Sequence, residues 1–179
     1  MRYIALLRGV NVGGHMVKME RLRALFAELG LDGVRTYIQS GNVFFEAADG
    51  DRAELTRAIE RHLRAALGFE VPTYLRTVPE LERTLARSPF TDADIAPDTR
   101  LNIVFAASPI PATLTLPAWS TKRDMEIRQV TEREAFVVWY LKDGRPPASG
   151  DFLEKTLGSQ LTSRFAHTTV KILEAAKAG

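Results

Sequence analysis

Cysteine is absent from the 179-residue chain, which excludes disulfides, thiolate nucleophiles and Cys-ligated zinc or iron–sulfur sites together. Histidine is scarce: His15, His62 and His167 are scattered and form no His-Glu-x-x-His pair. Neither a Gly-x-Ser-x-Gly elbow nor a Ser-x-x-Lys pair occurs, so the common serine-nucleophile motifs are missing as well. No apolar run approaches the roughly 18 to 20 residues of a membrane span. Arg8, Lys18 and Arg21 interrupt the N-terminal stretch before a signal-peptide core forms. The expectation is a cytoplasmic protein with no membrane partner. Net charge is also nearly absent, 24 Lys+Arg against 22 Asp+Glu leaving +2. Position says more than the sum: within residues 1–23, Arg2, Arg8, Lys18, Arg21 and Arg23 face one acid, Glu20. An anion-attracting face is therefore expected near the N-terminus.

What is present is an ordinary folding composition, 45% hydrophobic and 26% charged with 12 Gly and 9 Pro. Tyr3 to Leu7 is a short apolar run bounded by Arg8-Gly9 and reads as a strand. Met19, Leu22, Leu25, Phe26 and Leu29 recur at helical spacing, with Gly30 placed to stop the helix. Val34 to Gln39 and Val43 to Phe45 flank Ser40-Gly41-Asn42 and predict a hairpin. A helix from about Arg52 to Leu67, with the stripe Leu55, Ile59, Leu63 and Leu67, leads to a strand from Val71 to Arg76. That order is the ferredoxin-like βαββαβ plan, an antiparallel sheet with both helices on one face.

The rest of the chain predicts a partial echo of this unit. A linking helix covers Pro79 to Arg87, and strands follow at Leu101 to Ala106, Met125 to Val130 and Ala135 to Leu141. Helices are expected at Phe152 to Leu157 and Thr168 to Lys177, the last starting at a Thr cap and burying Val170, Leu173 and Ala176. Pro109, Pro111 and Pro117 argue for an irregular crossover where a second ferredoxin-like unit wants a helix. The fold class is thus α+β, with units at residues 1–77 and 78–179 and the second less regular.

One stretch is more specific. Tyr3-Ile4-Ala5-Leu6-Leu7-Arg8-Gly9-Val10-Asn11-Val12-Gly13-Gly14, then Lys18-Met19 and Leu22, then Thr36-Tyr37-Ile38-Gln39-Ser40-Gly41-Asn42-Val43 resembles the bacterial family called domain of unknown function 1697. The likeness is dense over the first quarter and looser beyond. It implies two ferredoxin-like units and carries no activity or cofactor. The family's usual Thr-Arg-Asn-Trp segment before the last helix is broken here, where Arg164 is followed by Phe165-Ala166.

The strongest chemical signal is the loop Gly9 to Gly14, which has the Gly-x-x-x-x-Gly spacing of a phosphate cradle between a strand and a helix. His15 and Met16 stand where a nucleotide-hydrolysing loop needs Lys and Ser/Thr. A simpler anion site remains, with backbone N–H groups at Gly9, Asn11, Gly13 and Gly14 and charge from Arg8, His15 or Lys18. Tight turn geometry explains the same glycines. The hairpin tip Gln39, Ser40 and Asn42 is a second candidate, although with strands one and three taken as parallel it falls at the opposite end of the sheet from the glycine loop. Ser163, Arg164, Thr168 and Thr169 mark a third anion site, before the final helix.

Other signals favour structural roles. Tyr3 and Phe44 or Phe45 occupy strands on which RNA-binding domains of this topology stack bases, yet apolar aromatics are usually interior. Asp92, Asp94 and Asp98 lack the Gly and Glu of a calcium loop. His62 borders an apolar stripe, and Trp119 reads as a plug over the core. The leading reading is a non-catalytic protein that binds a small phosphate-bearing anion at Arg8 to Lys18. Alternatives are an enzyme on a phosphorylated substrate with His15 as acid–base, and a nucleic-acid or protein-interaction module using the Arg-rich N-terminal face.

Overall fold

Arg2–Leu7 forms β1, with five of its six residues buried, and Met19–Glu28 forms α1. Asp32–Thr36 and Asn42–Glu46 are β2 and β3, Arg52–Leu67 is α2 and Thr73–Thr77 is β4. The structure is a computed structural model and describes every residue except Ser149. α2 keeps the bounds its periodicity predicts because both ends are marked locally. The Asp51 carboxylate accepts from the Glu54 N–H at 3.1 Å, and Gly68 closes the helix at φ +81.

These strands form a four-stranded antiparallel sheet in the order β2-β3-β1-β4. Alternate residues of β1, Tyr3, Ala5 and Leu7, share one buried cluster with Leu25 of α1 and Ile59 and Leu63 of α2, so both helices cover the same face. One expectation is corrected here. β1 and β3 are antiparallel, with Leu6 opposite Asn42. In the split βαβ plan the parallel relation is the one a helical crossover makes, between β1 and β2, and β3 is inserted between them. The end of β1 and the start of β3 therefore lie at the same end of the sheet.

Val78–Ala86 is α3, followed by a 3-10 turn at Asp92–Asp94 and then β5 (Thr99–Ala106), β6 (Ala118–Trp119), β7 (Met125–Val130) and β8 (Glu134–Tyr140). α4 (Phe152–Leu157), β9 (Leu161–Phe165) and α5 (Ala166–Lys177) complete the chain. The second sheet is antiparallel in the order β6-β7-β8-β5-β9. Without the two-residue β6 its order repeats that of the first sheet. The helix expected between β5 and β7 is replaced by irregular chain, whose Ile110, Leu114 and Leu116 pack with Val104, Val137 and Leu157. Three prolines remove helix donors, and side chains from an extended segment fill the space instead.

β9 and the two-residue β6 are the strands missing from the sequence reading. The Leu-Thr-Ser-Arg-Phe of β9 has little strand character, and pairing with β5 makes it a strand. α5 accordingly starts at Ala166 with no Thr168 cap, and the Thr169 hydroxyl donates to the Phe165 carbonyl. Its buried positions are Thr169, Ile172 and Ala176, and Val170 is exposed.

The chain forms two compact units, Met1–Glu82 with Ile172–Gly179, and Arg83–Lys171. The C-terminal turn of α5 thus belongs to the first unit rather than to a 78–179 unit. Arg2 donates to the Ala176 carbonyl at 3.0 Å, Arg35 donates to Ala175 at 3.0 Å and Ala176 at 3.3 Å, and Lys177 pairs with Glu82. Cations at the negative end of a helix are favourable.

Candidate anion-binding site

At the end of β1 the Leu7 N–H donates to the Gly41 carbonyl at 2.8 Å and the Arg8 N–H to Pro72 at 3.0 Å. The chain then turns through left-handed residues, Gly9 at φ +78 and Asn11 at φ +59, between which Val10 drops into the core. Asn is one of the few side-chain-bearing residues at ease there. Asn11 Nδ2 donates to the Gln39 carbonyl at 2.6 Å, and Oδ1 accepts from the Val17 N–H at 2.7 Å. The glycine loop and the hairpin tip are therefore one continuous face. The two candidates assigned to opposite ends are joined by a hydrogen bond.

Gly13 (φ +57) and Gly14 (φ +86) form the crest of this face. Nothing lies within 4 Å of where a Cβ would stand on either. The loop closes through Asn11 N–H to His15 carbonyl and His15 N–H to Val12 carbonyl. The Gly13 and Gly14 N–H groups donate to no acceptor among the described residues. Arg8, His15 and Lys18 are exposed around them. The loop does not run straight into a helix, because α1 begins only at Met19, with Lys18 as an N-cap whose side chain makes no capping bond. The candidate is a glycine crest with Arg8, His15 and Lys18 exposed on the same stretch of chain, not a nucleotide-type cradle.

Not every predicted contact faces outward. Asn42 is buried, and its Nδ2 donates to the Tyr37 carbonyl at 3.1 Å and to Ser40 Oγ at 3.0 Å. Gln39 is exposed, with its carbonyl already committed to Asn11. Asn11 and Asn42 therefore build the face and Arg8, Gly13, Gly14, His15, Lys18, Gln39 and Ser40 present it. His15 lies flat on Phe69, ring centroids 4.1 Å apart at 9°. No side chain among the described residues hydrogen-bonds its ring.

Arg164 lies in the second unit. It is buried on β9 opposite Ile103 and donates to Thr162 Oγ1 at 3.0 Å and the Ser163 carbonyl at 2.8 Å. Burial pushes its pKa down to about 10. The Arg164 guanidinium is thus part of the interior rather than an exposed docking group at the start of α5.

Three further readings resolve structurally. Tyr3, Phe44 and Phe45 are buried, and Tyr3 stacks on Phe45 at 5.4 Å, which removes them as base-stacking platforms. Trp119 stacks with Tyr140 at 5.4 Å and has the Arg123 guanidinium over its ring at 4.4 Å. Asp94 accepts from the Thr91 N–H and pairs with Arg128; the bond to Thr91 and the Arg128 guanidinium hold its pKa low against partial burial. A cavity of about 340 Å³ in the first unit is lined by Arg2, Val34, Arg35 and Glu46 among others, and both arginines in it already serve the end of α5.

The sequence reading missed the apolar character of the site. Val12 is 59% exposed, Met16 71% and Ile38 47%, and Ile38 has φ +50, an unusual conformation for a β-branched residue. The available signal was three large apolar residues inside loops otherwise made of Gly, Asn, Gln and Ser.

Fold and site together define an α+β protein of two antiparallel-sheet units with a glycine-crested loop face on the first. The chain belongs to the family described as Protein of unknown function (DUF1697), whose profile matches residues 1–136. No curated protein matches it. Among solved structures it is similar to a conserved bacterial protein, SP0830 from Streptococcus pneumoniae, at 24% identity and a TM-score of 0.68, covering 98% of both chains. That likeness establishes the shared fold.

Proposed function

We propose that this is a non-catalytic cytoplasmic protein that binds a small phosphate-bearing anion on the face presented by Arg8, Gly13, Gly14, His15, Lys18, Gln39 and Ser40. The observation that carries the reading is the Asn11 clamp, which holds the unpaired Gly13 and Gly14 N–H groups beside the hairpin tip with Arg8, His15 and Lys18 exposed around them. Backbone N–H groups without an internal acceptor are available to an anion, and basic side chains on the same stretch add long-range attraction.

The test is a thermal-shift titration with inorganic phosphate, sugar phosphates and nucleotides on wild type, Gly13→Val and the double variant Arg8→Gln/Lys18→Gln. A ligand at one hundred times its Kd adds about 2.7 kcal/mol, a rise of roughly 5 to 11 °C at this size. The rise is expected in wild type only. An equal rise in Gly13→Val would place the anion elsewhere.

A further inference from the structure

The anion site is surrounded by side chains that a freely soluble anion does not need. Of the seven large apolar residues most exposed on the chain, Val12, Met16 and Ile38 belong to these two loops. The loops that carry them are joined, since Asn11, next to Val12, is bonded to Gln39, next to Ile38, at 2.6 Å, and the N–H of His15, next to Met16, donates to the Val12 carbonyl at 3.1 Å. Single exposed hydrophobics are ordinary, whereas a cluster of them marks a contact surface. Ile38 adds a second cost. Its left-handed backbone is of order 1–3 kcal/mol above an ordinary one for a β-branched residue, yet the residue stays 47% exposed, so only partial burial offsets the strain.

Charge narrows the partner. Arg8, His15, Lys18 and Arg21 are exposed along the same stretch, where Glu20 is the exposed acid. Glu70, beside Phe69 under His15, is paired with Arg64 at 2.7 Å. The surface is thus apolar at its loop tips, cationic around them, and ready to accept a phosphate between. An anionic bilayer offers that combination in one layer, with lipid phosphates directly above acyl chains. A protein partner of standard size needs roughly 800 Å² of matching surface per side, whereas three protruding tips and one phosphate site suffice at a lipid interface. No helix of the described residues is long and apolar enough to cross a membrane, so the contact is peripheral.

We propose that this loop face docks on anionic phospholipid, with a lipid phosphate at Gly13–Gly14 and Val12, Met16 and Ile38 entering the boundary between headgroups and acyl chains. The proposal rests on the anion reading above and names its source. Sedimentation with vesicles of phosphatidylcholine alone and of phosphatidylcholine mixed with phosphatidylglycerol tests it. The expected result is binding to the mixed vesicles only, weakening as salt screens the cations. Ile38→Asn and Met16→Ser should each weaken it roughly tenfold, while their thermal shift with inorganic phosphate stays at the wild-type value. Ile38→Asn keeps the fold, because Asn tolerates the left-handed backbone better than Ile. A Met16→Trp reporter should shift its emission to the blue on the mixed vesicles.

Phosphate binding without vesicle binding would overturn the lipid proposal and leave the anion reading intact. Vesicle binding undiminished in both apolar variants would overturn the assignment to this face. Failure of both phosphate and vesicles would overturn the two readings together.

Discussion

Asn11 holds two loops at once: its Nδ2 donates to the Gln39 carbonyl at 2.6 Å while its Oδ1 accepts from the Val17 N–H at 2.7 Å. Both functions of the amide are used, and the residue takes the left-handed backbone that starts the glycine crest.

Replacing Asn11 separates these roles. Asn11→Asp keeps the acceptor for Val17 and loses the donor to Gln39, and Asn11→Gly keeps the backbone and loses both bonds. At about 0.5–1.5 kcal/mol per net hydrogen bond, urea denaturation should show Asn11→Gly destabilised by about 1–3 kcal/mol. Asn11→Asp should lose less. Anion binding should weaken in both variants, because the crest is no longer fixed to the hairpin tip.

Gly41 and Gly13 should respond differently to alanine. A Cβ at Gly41 would stand 3.0 Å from the Leu7 Cβ and 3.3 Å from the Val10 Cβ at φ +84, whereas Gly13, at φ +57, has open space. Left-handed backbone costs about 1–2 kcal/mol for alanine, and forced packing adds about 1–3 kcal/mol. Denaturation curves should therefore place Gly41→Ala about 2–5 kcal/mol below wild type and Gly13→Ala only about 1–2 kcal/mol below.

Ile38→Asn should stabilise the fold. Relief of left-handed strain at a half-exposed β-branched residue is of order 1 kcal/mol, read as a rise in Tm of about 2–4 °C at this chain length. A lower Tm would mean that Ile38 makes a contact that stabilises the folded chain.

Glu80 links the first unit to pH. Partial burial raises its pKa, but the Thr77 N–H and the Arg52 guanidinium outweigh that effect and hold it below the 4.5 of a free glutamate. Both Glu80 oxygens accept from Arg52 at 2.9 Å. A carboxyl whose folded pKa is depressed contributes stability above its unfolded pKa and loses it as pH falls through the folded one. Wild type should therefore lose stability more steeply than Glu80→Gln as the pH drops from about 6 to about 3. Parallel slopes would show that the Arg52–Glu80 pair adds nothing to folding.

Local chemistry made the first unit legible. α2 carries its own cap residues, Asp51 and Gly68, and a stripe of Leu and Ile, so nothing distant is needed to define it. The same holds for the α1 stripe and for the hairpin turn at Ser40–Asn42, whose geometry comes from Gly and Asn. The prolines of residues 109–117 likewise announced that no helix would form there.

What remained hidden depends on partners distant in sequence. β9 is a strand because β5 offers it a ladder, and its own residues carry little preference. Val170 is exposed and Ile172 buried because the face a helix buries is set by what it packs against, and one residue turns that face by about a quarter turn. Arg164 reads as a surface cation and is interior. By itself, then, the sequence determined which residues belong to the glycine crest and which cations accompany it, since both follow from residue type and short-range spacing. Only the tertiary structure decided that the hairpin tip joins them and that Val12, Met16 and Ile38 stand exposed on the joined loops. The antiparallel pairing of β1 with β3 sets which ends of the sheet coincide, and that pairing is a long-range property of the fold.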